Sequence, residues 1–201
     1  GSENADMKNS VSEEKEQDLR IERLSFTYEE PVIDLADWYD QEVPTDQTSA
    51  EKEATLKNIS FSVKPGELIL ITGESGCGKT TLLQIINGII PEFLNGKIEG
   101  DVLFHGESIL GLPVDRRGVL TGSVFQNPRS QFFNVLVKDE LRFGCENLNL
   151  PVEVIEKRIS TLVKEFQLEP YLERNLFHLS GGEKQRVACL CVAAMQPPIM
   201  L

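Results

Sequence analysis

Gly73-Glu74-Ser75-Gly76-Cys77-Gly78-Lys79-Thr80 decides how this chain is read. The stretch fits the pattern G-x-x-x-x-G-K-[ST], a phosphate-binding loop. Leu68-Ile69-Leu70-Ile71-Thr72 precedes it and reads as a buried parallel strand. Thr81-Leu82-Leu83-Gln84-Ile85-Ile86-Asn87 follows with apolar residues at helical spacing, and Gly88 is a stop signal. Strand, glycine loop and helix are the context the motif requires. Gly73, Gly76 and Gly78 leave room for backbone N–H groups to face phosphate oxygens. The helix start adds partial positive charge. Lys79 can reach terminal phosphates, and the Thr80 hydroxyl can ligate Mg²⁺.

The 201 residues carry a formal net charge of −12. That charge is uneven. Residues 1–18 hold six acids and two bases, and residues 29–53 hold nine acids and one base. Those two segments account for the whole imbalance, so the rest of the chain is neutral. This argues against a broad nucleic-acid-binding surface, and no nucleic-acid partner is expected. Four cysteines, Cys77, Cys145, Cys189 and Cys191, show neither a disulfide framework nor a zinc pattern. Cys77 lies in the phosphate loop near Lys79 and a helix start, which predicts sensitivity to thiol reagents that ATP protects against. No signal peptide and no apolar run of about 18 residues is evident, so the chain is not expected to span a membrane itself.

Residues 1–18 are polar and read as a disordered tail, with order expected from Leu19. Leu24, Phe26 and Tyr28 alternate with polar residues, as in a half-buried strand. Residues 29–53 then break the pattern as an acidic insertion containing Trp38; it is a surface excursion or a docking segment. Ile59, Phe61 and Val63 mark a second strand, and Lys97–Phe104 a third. Val119–Phe125 reads as a short strand ending at Gln126. From Val137 the pattern is helical. Val152, Ile155, Ile159, Leu162, Val163 and Phe166 make one apolar stripe. Ser180 is a good N-cap with Glu183 three residues on, as in a capping box. That helix must stop before Pro197-Pro198, and Ile199-Met200-Leu201 reads as the start of a buried strand.

Leu179-Ser180-Gly181-Gly182-Glu183-Lys184-Gln185-Arg186 resembles the signature motif of the ABC-type ATPases, the nucleotide-binding subunits of ABC transporters. Gln126, ending a strand, is similar to the family's Q-loop. Tyr28, ending the first strand, resembles the aromatic residue that stacks on adenine. Each has a plainer reading: Ser180 as a helix cap only, Tyr28 as a core aromatic with Phe26 as the alternative stacker, and Gln126 as a loop polar residue. The resemblance covers Leu19–Leu201 apart from the insertion. It implies an α/β phosphate-loop NTPase core with an antiparallel β subdomain and a helical subdomain at about 130–178. It implies ATP and Mg²⁺ as ligands, with Gly73, Ser75, Gly76, Cys77, Gly78, Lys79, Thr80 and Thr81 around the phosphates. Lys79 and Gln126 would be catalytic, Thr80 and Gln126 metal ligands. Ser180, Gly181 and Gly182 would complete the ATP site of a second ATPase domain, in a homodimer, a heterodimer or a fused tandem.

The family continues with a Walker B aspartate, a catalytic glutamate and a switch histidine, whose usual place begins after Leu201. His105 and His178 both precede the signature helix. The expectation is therefore a C-terminally truncated ATPase domain that binds ATP and is inactive alone. Val124-Phe125-Gln126-Asn127-Pro128-Arg129-Ser130-Gln131-Phe132-Phe133 is similar to ATPases of energy-coupling-factor importers of vitamins or of cobalt and nickel. That implies a transmembrane subunit as partner, docked near Phe132 to Phe143, and a place on the cytoplasmic face of the membrane. A soluble ABC-type ATPase without a transporter, or a non-hydrolysing regulatory module, is the alternative.

Overall fold

The computed structural model describes residues 18–29 and 54–201. The tail before Asp18 and all but the first residue of the acidic insertion lie outside them. The described chain opens with two long strands, β1 (Leu19–Tyr28) and β2 (Leu56–Val63). The phosphate loop leads into α1 (Lys79–Asn87), then a four-residue turn α2 (Ile89–Glu92), β3 (Gly96–Phe104) and β4 (Glu107–Ser108). Next come α3 (Val114–Leu120), β5 (Thr121–Gly122), α4 (Val137–Asn147), α5 (Val152–Phe166), α6 (Gly181–Met195) and β6 (Ile199–Met200).

One antiparallel sheet has the order β2-β1-β3-β4. Its inward face alternates as the sequence predicts, with Leu24, Phe26 and Val102 fully buried. The alternation is interrupted once. Register shifts between Glu22 and Ser25, where Arg23 takes a positive φ of 48°. Gly100 on β3, φ 87°, faces this bulge, and a Cβ there would lie 2.4 Å from the Glu22 and Arg23 carbonyl oxygens. Glycine is required at that contact.

The described parallel sheet is only β5 beside β6, with Thr121 opposite Ile199 and Gly122 opposite Met200. Val124 extends it by donating to the Leu201 carbonyl at 2.9 Å. Two sequence expectations are corrected here. Leu68–Thr72 forms no strand: Leu68 is 96% and Leu70 83% exposed. A parallel strand needs neighbours to bond its backbone and cover both faces. Here a cavity of about 340 Å³, lined by Leu68, Ile71, Leu83, Ile86, Ile199 and Leu201, separates the segment from β6. The strand expected over Val119–Phe125 is also shorter, because Val119 and Leu120 complete α3 and the regular strand is Thr121–Gly122, followed by the single Val124 bond.

Two buried clusters result. One joins the antiparallel sheet to α1 through Leu24, Phe26, Ile85, Ile86 and Ile90. The other gathers α4, α5 and α6 around Val137, Leu141, Ile155, Leu176 and Val187. The α5 stripe is narrower than its spacing suggests. Ile155, Ile159 and Val163 are buried, while Val152 and Phe166 at its ends are exposed.

Candidate nucleotide site

The helix α1 begins without a side-chain cap and with no acidic residue in its first turn. Its leading amides therefore face outward, as an anion site requires. Gly78, the N-cap, has φ 93°, and a Cβ on it would meet Leu56 Cδ2 at 2.7 Å and the Thr55 carbonyl oxygen at 2.9 Å. The loop is thus pressed against the start of β2, and no side chain fits at that point. Gly73, Glu74, Ser75, Gly76 and Cys77 are all exposed. Lys79 folds over them. Its Nζ donates to the Gly73 carbonyl at 2.8 Å and to the Glu74 carbonyl at 2.6 Å, and stands 3.5 Å from Cys77 Sγ. The ammonium is held above the loop that would carry the phosphates.

Thr80 is exposed beside it, whereas Thr81 is buried with its hydroxyl 3.0 Å from the Tyr28 hydroxyl. Tyr28 is half-buried, its ring edge-on to Phe26 at 4.7 Å between centroids. Phe26 itself is fully buried, which removes it as a base platform. Tyr28 thus sits at the phosphate helix, 53 residues away in sequence from Thr81.

Gln126 is exposed at the turn that follows β5. The turn is braced on both sides. Gln131 accepts from the Phe125 amide at 3.1 Å and donates to the Ser123 carbonyl at 3.1 Å. Asn127 caps the next turn by accepting from the Arg129 amide at 3.2 Å. The strand is joined to α1: Asn87 Nδ2 lies 3.2 Å from Ser123 Oγ. Arg117, on α3, is fully buried and donates through Nη1 to the Ile85 and Ile86 carbonyls, while Nε and Nη2 have no partner among the described residues. Desolvation pushes its pKa below the usual arginine value.

Ser180 caps α6 in a complete capping box. The Glu183 amide donates to Ser180 Oγ at 3.3 Å, and the Ser180 amide donates to Glu183 Oε2 at 2.7 Å. That amide holds the Glu183 carboxyl below its ordinary value. Ser180, Gly181 and Gly182 are exposed. They open α6, whose Val187 and Leu190 lie in the helical cluster, and among the described residues they share no hydrogen bond with the phosphate loop. The structure thus brings Tyr28 and Thr81 together, ties Ser123, three residues before Gln126, to the end of α1, and leaves Gln126 and Ser180–Gly182 exposed.

Asn87, Arg117, Gln131 and Glu140 are the bracing residues that the sequence reading does not single out. Glu140 is buried and accepts from the Phe133 and Asn134 amides, at 3.1 and 2.7 Å to Oε2. Single polar residues of this kind follow no spacing rule.

An uncapped helix after a glycine loop, with a lysine over it, defines a phosphate-loop nucleotide-binding domain. Comparison with known sequences carries this further. The sequence model of the ABC transporter family matches residues 56–201, and the chain belongs to that family. A Treponema denticola protein provisionally named an ABC transporter ATP-binding protein is 42% identical over 146 residues, 73% of this chain and 30% of its own length. A Bacillus subtilis protein provisionally named an HMP/thiamine import ATP-binding protein is 32% identical over 184 residues, 91% of this chain and 30% of its own length. The structure of cbiO1 from Clostridium perfringens, described as part of the ABC transporter complex cbiONQ, superposes with a TM-score of 0.67 at 28% identity. That match covers 90% of this chain and 63% of cbiO1. The chain spans less than a third of the length of the two curated relatives described here. The fold is that of the ABC ATPases. No helix among the described residues is long and apolar enough to cross a membrane.

Proposed function

We propose that this chain is the ATP-binding part of an ATPase that powers import across a membrane, of a vitamin or a transition-metal ion. The observation that carries the proposal is the Lys79 ammonium held over an exposed glycine loop at an uncapped helix start; the Asn87–Ser123 bond ties the other end of that helix to the segment leading to Gln126. Phosphoryl transfer depends on positioning and charge neutralisation. The loop amides and the Lys79 ammonium would bind the β- and γ-phosphates, and Gln126 would orient the attacking water. Thr80 and Gln126 offer exposed neutral oxygens with no carboxylate in the first turn of α1, which suits Mg²⁺ shared with phosphate oxygens. Bound there, Mg²⁺ would neutralise charge on the phosphates.

Ser180–Gly182 are exposed and, among the described residues, share no hydrogen bond with the loop of their own chain, which supports a second ATPase domain as partner. The uncapped amides at Gly181 and Gly182 would close over ATP held by that domain's loop. ATP would then favour the closed pair because it has contacts there that the open state lacks.

The face for a transmembrane partner is the groove beside the Gln126 turn. Phe133 is 75% exposed and stacks on Phe143 at 4.9 Å. Gln131, Asn147 and Met195 complete a cavity of about 190 Å³ there. An exposed aromatic pair beside a groove suits an apolar helix end from a partner. The name of the thiamine-import relative favours the importer class, and the description of cbiO1 as part of a transporter complex favours transport over a soluble ATPase.

The test uses the full-length protein expressed with its membrane components. ATP turnover and co-purification of a membrane subunit are expected, and Lys79→Ala should abolish turnover while leaving co-purification. Turnover that survives Lys79→Ala would overturn the site assignment.

A further inference from the structure

We infer that Tyr28 positions the phosphate end of the nucleotide as well as its base, by holding the Thr81 hydroxyl. This rests on the reading of α1 as the phosphate site. Tyr28 is the last residue of β1, opposite Gly96, and its ring is fixed edge-on against Phe26. Its hydroxyl lies 3.0 Å from Thr81 Oγ1, in the first turn of α1 directly after Lys79 and Thr80.

Other threonines in this chain show what Thr81 would otherwise do. The Thr121 hydroxyl donates to the Arg117 carbonyl at 3.0 Å, and the Thr161 hydroxyl to the Lys157 carbonyl at 2.8 Å, each four residues back. Such back-bonding is the ordinary option for a threonine in a helix, as Thr161 in α5, or just past one, as Thr121 after α3. Thr81 is bonded to Tyr28 instead, so its rotamer is set from outside the helix. A hydroxyl has one proton and two lone pairs. With Tyr28 donating to Thr81 Oγ1, the Thr81 proton is left for a phosphate oxygen, and the two bonds reinforce each other. No proton is transferred; only orientation changes. The base platform and the phosphate helix are then one unit, and a base on the tyrosine ring steadies the group beside Thr80.

Inorganic triphosphate separates this role from stacking, because it has no base. In the full-length protein, Mg²⁺-triphosphate and Mg²⁺-ATP affinities are measured by calorimetry for wild type, Tyr28→Phe, Thr81→Val, the double variant and Thr81→Ser. Tyr28→Phe keeps the ring. It should weaken triphosphate binding about three- to tenfold, the range of one neutral hydrogen bond. Thr81→Val should do the same, the double variant should be no weaker than either single one, and Thr81→Ser should restore most of the affinity. Unchanged triphosphate binding in Tyr28→Phe, or additive losses in the double variant, would overturn the inference. A wild type that bound neither ligand would instead refute the phosphate site itself. Thermal unfolding of each variant separates a fold defect from a binding defect.

Discussion

Arg117 drives its guanidinium into the C-terminal end of the phosphate helix, where Nη1 donates to the Ile85 carbonyl. A cation at that end meets the last orphan carbonyls and the negative pole of the helix. The same burial leaves Nε and Nη2 without partners among the described residues. Arg117→Ala should lower stability by about 2–4 kcal/mol through the lost stem packing and the uncapped carbonyls. Arg117→Met keeps most of the stem and removes the unpaired donors, so its cost should stay below about 1.5 kcal/mol. Denaturant unfolding of both variants decides; equal losses would show that the charge, not the packing, governs the site.

Glu140 fixes the backbone that follows the Gln126 turn. Its carboxylate accepts from two amides and from Asn134 Nδ2 at 3.1 Å. Glu140→Ala should cost about 1.5–3 kcal/mol, the range for a hydrogen-bonded charge, by leaving the Phe133 and Asn134 amides unpaired. It should also loosen the Phe133–Phe143 stack, read as reduced recovery of the membrane partner in pull-downs at a temperature where the protein remains folded. Full recovery would remove Glu140 from the docking face.

The capping box on α6 predicts a pH signature. The Glu183 carboxyl titrates below its ordinary value of 4.5 because the Ser180 amide, then the Ser180 side chain, stabilise its charged form. A carboxyl whose pKa is lowered on folding adds stability above the unfolded pKa, and loses it as pH falls through the lower folded value. Wild type should therefore lose more stability than Glu183→Gln between about pH 5 and pH 3. Ser180→Ala should cost about 1 kcal/mol at neutral pH. Parallel pH curves for wild type and Glu183→Gln would count against the box as the cause.

Cys77 offers a direct report on loop occupancy. Among the four cysteines it alone is exposed, while burial raises the thiol pKa of Cys145 and Cys191. Thiolate is the reactive form, so maleimide should modify Cys77 first. Saturating Mg²⁺-ATP should slow that reaction at least about tenfold, the ratio expected when roughly a tenth of the loops or fewer remain empty. Mass spectrometry after timed labelling gives the rate, and the same rate with and without nucleotide would place ATP elsewhere.

How much of this was legible depends on whether the signal was local. The phosphate loop, the Ser180–Glu183 box and the β1 alternation each follow from short-range rules, and the structure agrees with them. Leu68–Thr72 fails because a run of four apolar residues says nothing about which strands stand beside it. Val119 and Leu120 fail because a strand-like run can be claimed from its N-terminal side by α3. Arg117 leaves no trace, since arginine reads as surface until packing shows otherwise. Tyr28 was legible as an aromatic at a strand end, but its bond to Thr81 depends on β1 and α1 packing together.

The phosphate helix is gripped at both ends, by Tyr28 at Thr81 and by Arg117 and Ser123 at its last turn. At 1.5 Å per residue, its nine residues make a strut about 14 Å long. A helix so short does not bend appreciably, so a pull at one grip is felt at the other. If Tyr28 carries the base as proposed, a partner that shifts the turn beside Ser123 would tilt that platform as well. Mechanical work could run the other way along the same strut, from the nucleotide to the membrane.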